Sequence, residues 1–181
     1  MSDIHDPKNW PKWATETIEI VEPDLNWLNK GEQEKEQLLT LLSSFGVNEI
    51  EHYGSTSIPK LPAKPIIDLM AKVDHFQHVE KIASLLASDH WHYVPPSLDN
   101  RPWQRFFVKV SNEKRVAHLH LLQKDDERWD MQLQFRDKLR GNPHFVAQYA
   151  SLKTQLANEF SDDRETYTKE KTAFIHKVLQ T

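Results

Sequence analysis

Short runs of alternating apolar and polar residues occupy much of the first two thirds of the chain. Such alternation predicts strands with one face buried. The predicted strands are 17–21, 47–53, 65–73, 91–94, 103–110 and 115–122. The last two flank Ser111 and Asn112, so they are predicted to form a β-hairpin.

Helical spacing of apolar residues marks two segments between these strands. Pro23 and Asp24 are typical of a helix start, and the apolar stripe that follows them continues to Phe45. Gly46 is a typical residue at a helix end, because glycine adopts the left-handed conformation easily. A second helix is predicted over 76–87.

The last third of the chain is predicted to be helical. One helix runs over 125–140 and is ended by Gly141, Asn142 and Pro143, and a second follows over 145–160. The last helix starts after Asp162, with Glu165 three residues on as a capping box. Strands followed by helices predict an α+β fold, a mixed sheet with a helical C-terminal third.

The length of 181 residues, or 21.3 kDa, is sufficient for one substantial hydrophobic core. We therefore expect a single domain over residues 17–181. Residues 1–16 are polar apart from residues such as Trp10 and Trp13 and are predicted to form an N-terminal arm.

Composition excludes several classes of function. The net charge of −4 argues against binding nucleic acid through a broad basic surface. The chain has no cysteine, which excludes disulfides, thiolate metal sites and cysteine nucleophiles. We expect no membrane contact and a cytoplasmic location, because neither a membrane span nor a secretory signal is recognisable. Four glycines cannot form a glycine-rich nucleotide-binding loop.

The first candidate site residues are Gly54 and Ser55, which follow a predicted strand. Backbone N–H groups and a hydroxyl in such a turn can bind a phosphate, although a simple turn is the alternative. Asp68 lies within the next apolar strand, where a carboxylate is costly unless it is paired, caps a backbone group or binds a cation. His118 and His120 share one face of a later strand and are possible metal ligands or ordinary half-buried histidines.

Basic residues near these segments could bind an anion. Arg101, Arg105 and Lys109 share a strand face, which is either a phosphate-binding stripe or a solvated sheet edge. Lys171 lies on the apolar side of the last predicted helix, where a lysine usually extends its ammonium group to solvent.

Taken together, the segments resemble the GrpB family of predicted nucleotidyltransferases over about residues 17–180. The family's hallmark resembles Gly54-Ser55-Thr56-Ser57-Ile58-Pro59 followed by Ala63-Lys64-Pro65-Ile66-Ile67-Asp68, with further matches at 50–53, 105–107, 118–120, 135–140 and 167–171. The resemblance implies the nucleotidyltransferase fold typified by DNA polymerase β. It also implies transfer of a nucleoside monophosphate from an NTP to a small-molecule or protein acceptor, which it does not identify.

The resemblance assigns roles to individual residues. It implies that Asp68 binds a divalent metal, Mg²⁺ or Mn²⁺, and that His118 or His120 completes the metal shell or acts as a base. The residues implied to bind nucleotide phosphates are Gly54, Ser55, Thr56, Lys64, Arg105, Arg136 and Lys171. The expected partner is a nucleotide or a phosphorylated small molecule, and the oligomeric state is left open.

One departure from the family pattern leaves other functions open. Nucleotidyltransferases usually carry a second acidic residue where this chain has Met70. Histidine ligands suit Mn²⁺, Fe²⁺, Ni²⁺ or Zn²⁺ better than Mg²⁺. The alternatives are therefore a catalytically inactive nucleotide- or phosphometabolite-binding module and a metal-dependent phosphohydrolase.

Overall fold

A computed structural model describes residues 3–181, and its centre is a mixed five-stranded sheet. The strands are β1 (Ile50–Tyr53), β2 (Ile67–Val73), β3 (Trp91–Val94), β4 (Gln104–Ser111) and β5 (Lys114–Gln123). They lie in the order β1-β2-β5-β4-β3, in which β2 and β5 are parallel and all other neighbours are antiparallel. The expected α+β class is confirmed.

Helices flank the sheet and make up the end of the chain. They are α1 (Asn26–Leu42), α2 (Val79–Ala87), α3 (Pro96–Asp99), α4 (Arg128–Arg140), α5 (Pro143–Glu159), α6 (Arg164–Glu170) and α7 (Thr172–Leu179). In the described part of the chain, none of these helices is long and apolar enough to span a membrane.

The two faces of the sheet have different environments. Leu69, Phe107 and Leu119 point to one face and form the main core with Leu38 of α1 and Leu86 of α2. The C-terminal helices instead pack on one another in a second apolar cluster. The other face carries the polar residues Asp68, His118 and His120 and, next to them, an apolar cluster of Met70 and Leu122 with Trp129 of α4.

Three local predictions differ from the structure. Residues 17–21 form no strand, because their only ladder contact is a single bridge between Val21 and Ala63. The last helix is split into α6 and α7 at Lys171, and its cap is Asp163, whose carboxylate accepts the Thr166 N–H at 3.0 Å. The sequence pattern also missed the short helix α3.

The division into an arm and a domain stays a prediction, and residues 1 and 2 of the arm lie outside the described residues. The carbonyl of Trp13 accepts a hydrogen bond from the Arg115 guanidinium at 2.8 Å. Glu16 forms an ion pair with Arg164 of α6 at 2.9 Å. The end of the arm thus links β5 to the C-terminal helices.

Gly31 allows α1 to lie unusually close to β1. A Cβ atom at this position would lie 2.1 Å from Nδ1 of His52. The His52 ring is buried and hydrogen-bonded through Nε2 to Thr56 at 2.9 Å, so it is not free to move aside. The helix and the turn after β1 are therefore coupled through one imidazole ring.

We expect Gly31→Ala to lower the free energy of unfolding by about 1–3 kcal/mol, the usual cost of overpacking a core. Urea denaturation measures this change. Gly141→Ala is the matched control, because its Cβ would meet only ordinary contacts at 3.5 Å or more. Equal stability of the two variants would contradict the close packing of Gly31 on His52.

Candidate active site on the open face of the sheet

Strand register brings Asp68, His118 and His120 together on the face of the sheet opposite α1 and α2, which we call the open face. Asp68 of β2 pairs with His118 of β5, and Met70 pairs with His120, so all four side chains share that face. Nδ1 of His118 lies 3.0 Å from Oδ1 of Asp68, and Nε2 of His120 lies 4.0 Å from the same oxygen. Each of the three residues offers a ligand atom within 4.8 Å of the others.

The turn after β1 lies against the same carboxylate. Gly54 has a φ of +70°, and a Cβ atom there would lie 2.7 Å from Oδ2 of Asp68. Ser55 begins a 3₁₀ turn that the Ser57 hydroxyl stabilises by donating to the Gly54 carbonyl at 2.6 Å. Gly54 is thus required both for its left-handed backbone and for the space beside Asp68.

Thr56 lies in the turn but its hydroxyl points into the protein. It donates to the Ile66 carbonyl at 3.0 Å and contacts Nε2 of His52 at 2.9 Å. Since its one hydrogen goes to Ile66, His52 must donate from Nε2. The side chain of Thr56 therefore fixes the turn, and only its backbone remains as a possible phosphate contact.

The three cluster residues combine one ionised carboxylate with two neutral imidazoles. Burial opposes ionisation of Asp68, but the hydrogen bond from His118 and the charge of Lys64 outweigh it and hold the pKa of Asp68 below its usual value. Burial lowers the pKa of His120 to about 3 and also lowers the pKa of His118. Neutral imidazoles and a carboxylate are the forms that bind metals.

The donor set fits a divalent transition metal. Nε2 of His118 is buried without a hydrogen-bond partner in the described residues, although it is a polar atom. An imidazole nitrogen of this kind is satisfied by a cation or a polar ligand. Two imidazoles and one carboxylate suit Mn²⁺, Fe²⁺ or Zn²⁺, whereas Mg²⁺ prefers a shell of oxygen atoms.

Three lysines form a cationic group beside the cluster. The ammonium groups of Lys64 and Lys171 lie 5.1 and 4.6 Å from the centre of the Tyr167 ring. Burial and mutual repulsion lower the pKa of Lys64 to about 7, and burial lowers that of Lys171 to about 8. Lys153 is 1% exposed, and its pKa is lowered to about 6, first by burial and then by the other two lysines. At pH 7 Lys171 is mostly charged, Lys64 about half charged and Lys153 mostly neutral, so an anionic ligand that restores their charge is favoured.

Two predicted phosphate-binding arginines are engaged elsewhere. Arg105 lies on the face covered by α1 and α2, with its guanidinium 4.0 Å from the centre of the Phe76 ring. Arg136 donates to Glu51 at 2.8 Å and to the His52 carbonyl at 3.1 Å, so it ties α4 to β1. The structure therefore brings Gly54, Ser55, Lys64 and Lys171 to the cluster but not these two guanidinium groups.

The predicted basic stripe is likewise divided between environments. Lys109 points to the helical face, where it forms ion pairs with Glu34 and Asp89 at 2.9 and 3.0 Å. Arg101 lies before β4 and pairs with Asp99 at 2.9 Å. The stripe is wrong as a phosphate-binding surface because Arg105 and Lys109 both face the helices, on the side of the sheet opposite Asp68, and are engaged there.

Several residues around the histidines are not among the predicted site residues. Phe106 stacks on His120 with ring centres 4.9 Å apart, and Tyr53 meets the same ring edge-on at 5.7 Å. Oε1 of Gln104 lies 2.9 Å from Nδ1 of His120. Strand alternation could have placed Phe106 and Gln104 on one face, but only the β4–β5 register brings them to His120.

Comparison with known proteins assigns the family. The model of the GrpB protein family matches residues 17–181. The chain belongs to the GrpB family. It is 31% identical over 85% of its length to the glutamate-rich protein GrpB of Alkalihalophilus pseudofirmus, covering 89% of that protein. The crystal structure of GrpB from Enterococcus faecalis superposes with a TM-score of 0.77 and 31% identity, covering 90% of this chain and 95% of that one.

More distant structures confirm the nucleotidyltransferase-like fold. The Cid1 poly(U) polymerase, solved as an H336N mutant bound to MgATP, has a TM-score of 0.50 and 10% identity. The match covers 78% of this GrpB-family chain and 44% of the polymerase. At this identity the likeness concerns the fold, a mixed sheet with flanking helices, and not the activity.

Buried His52 makes the stability of the protein depend on pH. Burial lowers the pKa of its ring to about 4, whereas the unfolded chain binds that proton below about pH 6.5. The unfolded state thus takes up more protons between pH 6.5 and 4, and the folded state loses stability as the pH falls through this range. By pH 4 the loss attributable to His52 is about 3 kcal/mol.

We therefore expect His52→Gln to flatten the fall in unfolding free energy between pH 6.5 and 4, as measured by urea denaturation at several pH values. His75→Gln changes an exposed histidine and is the matched control, which should keep the slope of the wild type. A His52→Gln slope equal to that of the wild type would contradict a neutral buried His52.

Proposed function

We propose that the protein is a nucleotidyltransferase that moves a nucleoside monophosphate from an NTP to a small-molecule or protein acceptor. The observation that carries this proposal is the grouping of Asp68, His118 and His120 within 4.8 Å on the open face. Gly54 packs against Asp68, and the charges of Lys64 and Lys171 act on the same carboxylate, which supports a phosphate site beside the candidate metal ligands. The nucleotidyltransferase-like fold supports the same reading as an analogy.

In this proposal each side chain has a chemical task. Asp68, His118 and His120 would hold a divalent ion, which would supply positive charge to the phosphates. The turn at Gly54 and Ser55 offers backbone N–H groups and a hydroxyl to phosphate oxygens. Lys64 and Lys171 would neutralise the charge that develops on the leaving group.

The bond changes are those of an in-line displacement. An oxygen of the acceptor forms a bond to the α-phosphorus, and the bond from that phosphorus to the bridging oxygen breaks. Pyrophosphate leaves with the bonding electrons, and the proton of the acceptor hydroxyl passes to solvent. Phosphohydrolase activity, in which water attacks instead, would release inorganic phosphate from the same NTP when the terminal phosphorus is attacked.

Met70 gives a specific reason to keep a binding module as the second candidate. Its side chain is fully buried with Leu122 and Trp129, so the position two residues after Asp68 offers no oxygen ligand. A site with one carboxylate beside three lysines could bind a nucleotide or a phosphorylated metabolite without any turnover. Binding without a metal requirement would favour this second function.

Thermal unfolding with ATP, with and without Mn²⁺, tests the metal–nucleotide site. At 100 times its dissociation constant a ligand stabilises by about 2.7 kcal/mol, which is roughly 5–10 °C in Tm for a domain of this size. We expect that shift to require Mn²⁺ and to disappear in Asp68→Asn. Asp74→Asn, just beyond the same strand, is exposed and should behave as wild type.

The products formed from [α-³²P]NTP separate the candidate functions. Pyrophosphate release with label transferred to an acceptor supports the transferase, whereas labelled nucleoside diphosphate formed together with unlabelled orthophosphate supports the phosphohydrolase. An ATP shift that is equal in wild type and Asp68→Asn without Mn²⁺ would contradict the proposed metal site and favour the binding module.

We expect Lys171 to contribute to the binding of the triphosphate and not to the binding of the nucleoside. We expect Lys171→Met to weaken ATP binding by about 10- to 100-fold, the usual loss for a charge-assisted contact of about 1.5–3 kcal/mol. Calorimetry with ATP and adenosine measures the difference. Lys177→Met removes an exposed lysine of α7, the helix that follows Lys171, and serves as the control. Unchanged ATP affinity in Lys171→Met would exclude this lysine from phosphate binding.

A further inference from the structure

The environment of His120 contains a chain of polar groups that the proposed reaction does not use. The chain starts at the loop between α3 and β4, where Nη1 of Arg101 donates to Oδ1 of Asp99 at 2.9 Å. The second oxygen of Asp99 accepts from Nε2 of Gln104 at 2.7 Å. Oε1 of Gln104 then meets Nδ1 of His120 at 2.9 Å.

Each link of this chain has only one chemically allowed direction. An ionised carboxylate can only accept, so the NH₂ group of Gln104 must face Asp99. The amide oxygen of Gln104 therefore faces His120, and because it too can only accept, Nδ1 must carry the hydrogen. In a neutral imidazole the lone pair then lies on Nε2, which is the nitrogen 4.0 Å from Asp68.

Packing prevents the chain from relaxing. The side chain of Asp99 is 4% exposed, and Gln104 is buried at 5% exposure, so water does not readily replace either partner. Phe106 stacks on the His120 ring and Tyr53 meets it edge-on. A 180° turn of the ring would place a carbon instead of Nδ1 opposite Gln104, so the hydrogen bond to Gln104 favours the observed ring orientation.

We infer that Gln104, held by Asp99 and Arg101, is a positioning residue that keeps the hydrogen of His120 on Nδ1 and so leaves a lone pair on Nε2, 4.0 Å from Asp68, for a cation. In the opposite tautomer Nε2–H would point at the carboxylate and compete with a cation for it. The consequence for metal binding rests on the proposed function, whereas the tautomer itself does not. Partners of this kind beyond the ligands typically affect metal affinity by 10–100-fold.

Nitrogen NMR of the metal-free protein tests the tautomer directly. In protein labelled with ¹⁵N-histidine, long-range ¹H–¹⁵N correlations at pH 7.5 distinguish protonated from unprotonated ring nitrogens. The signals that disappear in the spectrum of His120→Gln are assigned to His120. We expect Nδ1–H in the wild type. Nε2–H in the wild type would overturn the inference.

Two variants test the role of Gln104. Gln104→Met removes the acceptor, and Asp99→Asn lets the Gln104 amide turn over, so both should increase the Nε2–H form of His120. Gln77→Met changes an exposed glutamine and should leave the tautomer as in wild type. Should Gln104→Met not fold, Asp99→Asn carries the test alone. A His120 tautomer that is unchanged in every folded variant would overturn the positioning role.

A titration with Mn²⁺ that is monitored by calorimetry supplies the second measurement. We expect Gln104→Met and Asp99→Asn to bind Mn²⁺ 10–100-fold more weakly than wild type and Gln77→Met. If the tautomer responds as expected but wild type binds no Mn²⁺, the proposed metal site fails while the positioning role of Gln104 stands. If Mn²⁺ binds equally to all variants despite an altered tautomer, the link from Gln104 to metal binding is wrong.

Discussion

The parallel pairing of β2 with β5 is the constraint on which the site depends. These strands are adjacent in the middle of the sheet although they are far apart in the chain, and their register puts Asp68 directly beside His118. A carboxylate in the middle of an apolar strand is costly unless its charge is balanced. Hydrogen bonding from His118 and the nearby lysine charge provide that balance, so the fold and the site stabilise the same ionised group.

Close backbone approaches transmit this arrangement to the rest of the fold. Gly31 lets α1 rest on His52, whose ring holds Thr56, and Thr56 in turn fixes the turn that carries Gly54. At Gly54 the backbone needs both a positive φ and an empty side-chain position beside Asp68. The covered face of the sheet thus sets the position of groups on the open face, because one connected set of contacts passes through the turn after β1.

Local patterns predicted most elements, and tertiary contacts decided the rest. Alternation located β2 and β5 because each buries apolar residues against α1 and α2, and it placed Asp68, Met70, His118 and His120 on strand faces correctly. The same alternation at 17–21 produced no strand, since the backbone of that segment forms hydrogen bonds with Ala63 and Ser161 instead of with a long neighbouring strand.

Arg105 could not be assigned to a face of the sheet from sequence, because no local pattern shows which face of β4 meets the helices. The burial of Lys153 has no local sequence signal, because it depends on the packing of α5 against the segment of Pro62, whose carbonyl accepts a hydrogen bond from the Lys153 ammonium group.

The charges of the site explain why Met70 need not abolish phosphate chemistry. Three anionic ligands around a divalent ion would leave the centre negative and repel a triphosphate, and lysines would be needed merely to offset that repulsion. With Asp68 as the single carboxylate and two neutral histidines, an ion of charge +2 would leave the centre with a net charge of +1. Lys64 and Lys171 add to that positive field, and in a partly buried site the attraction of a polyanion is stronger than in water. A weaker hold on the ion is thereby offset by a stronger hold on the phosphates that bind with it.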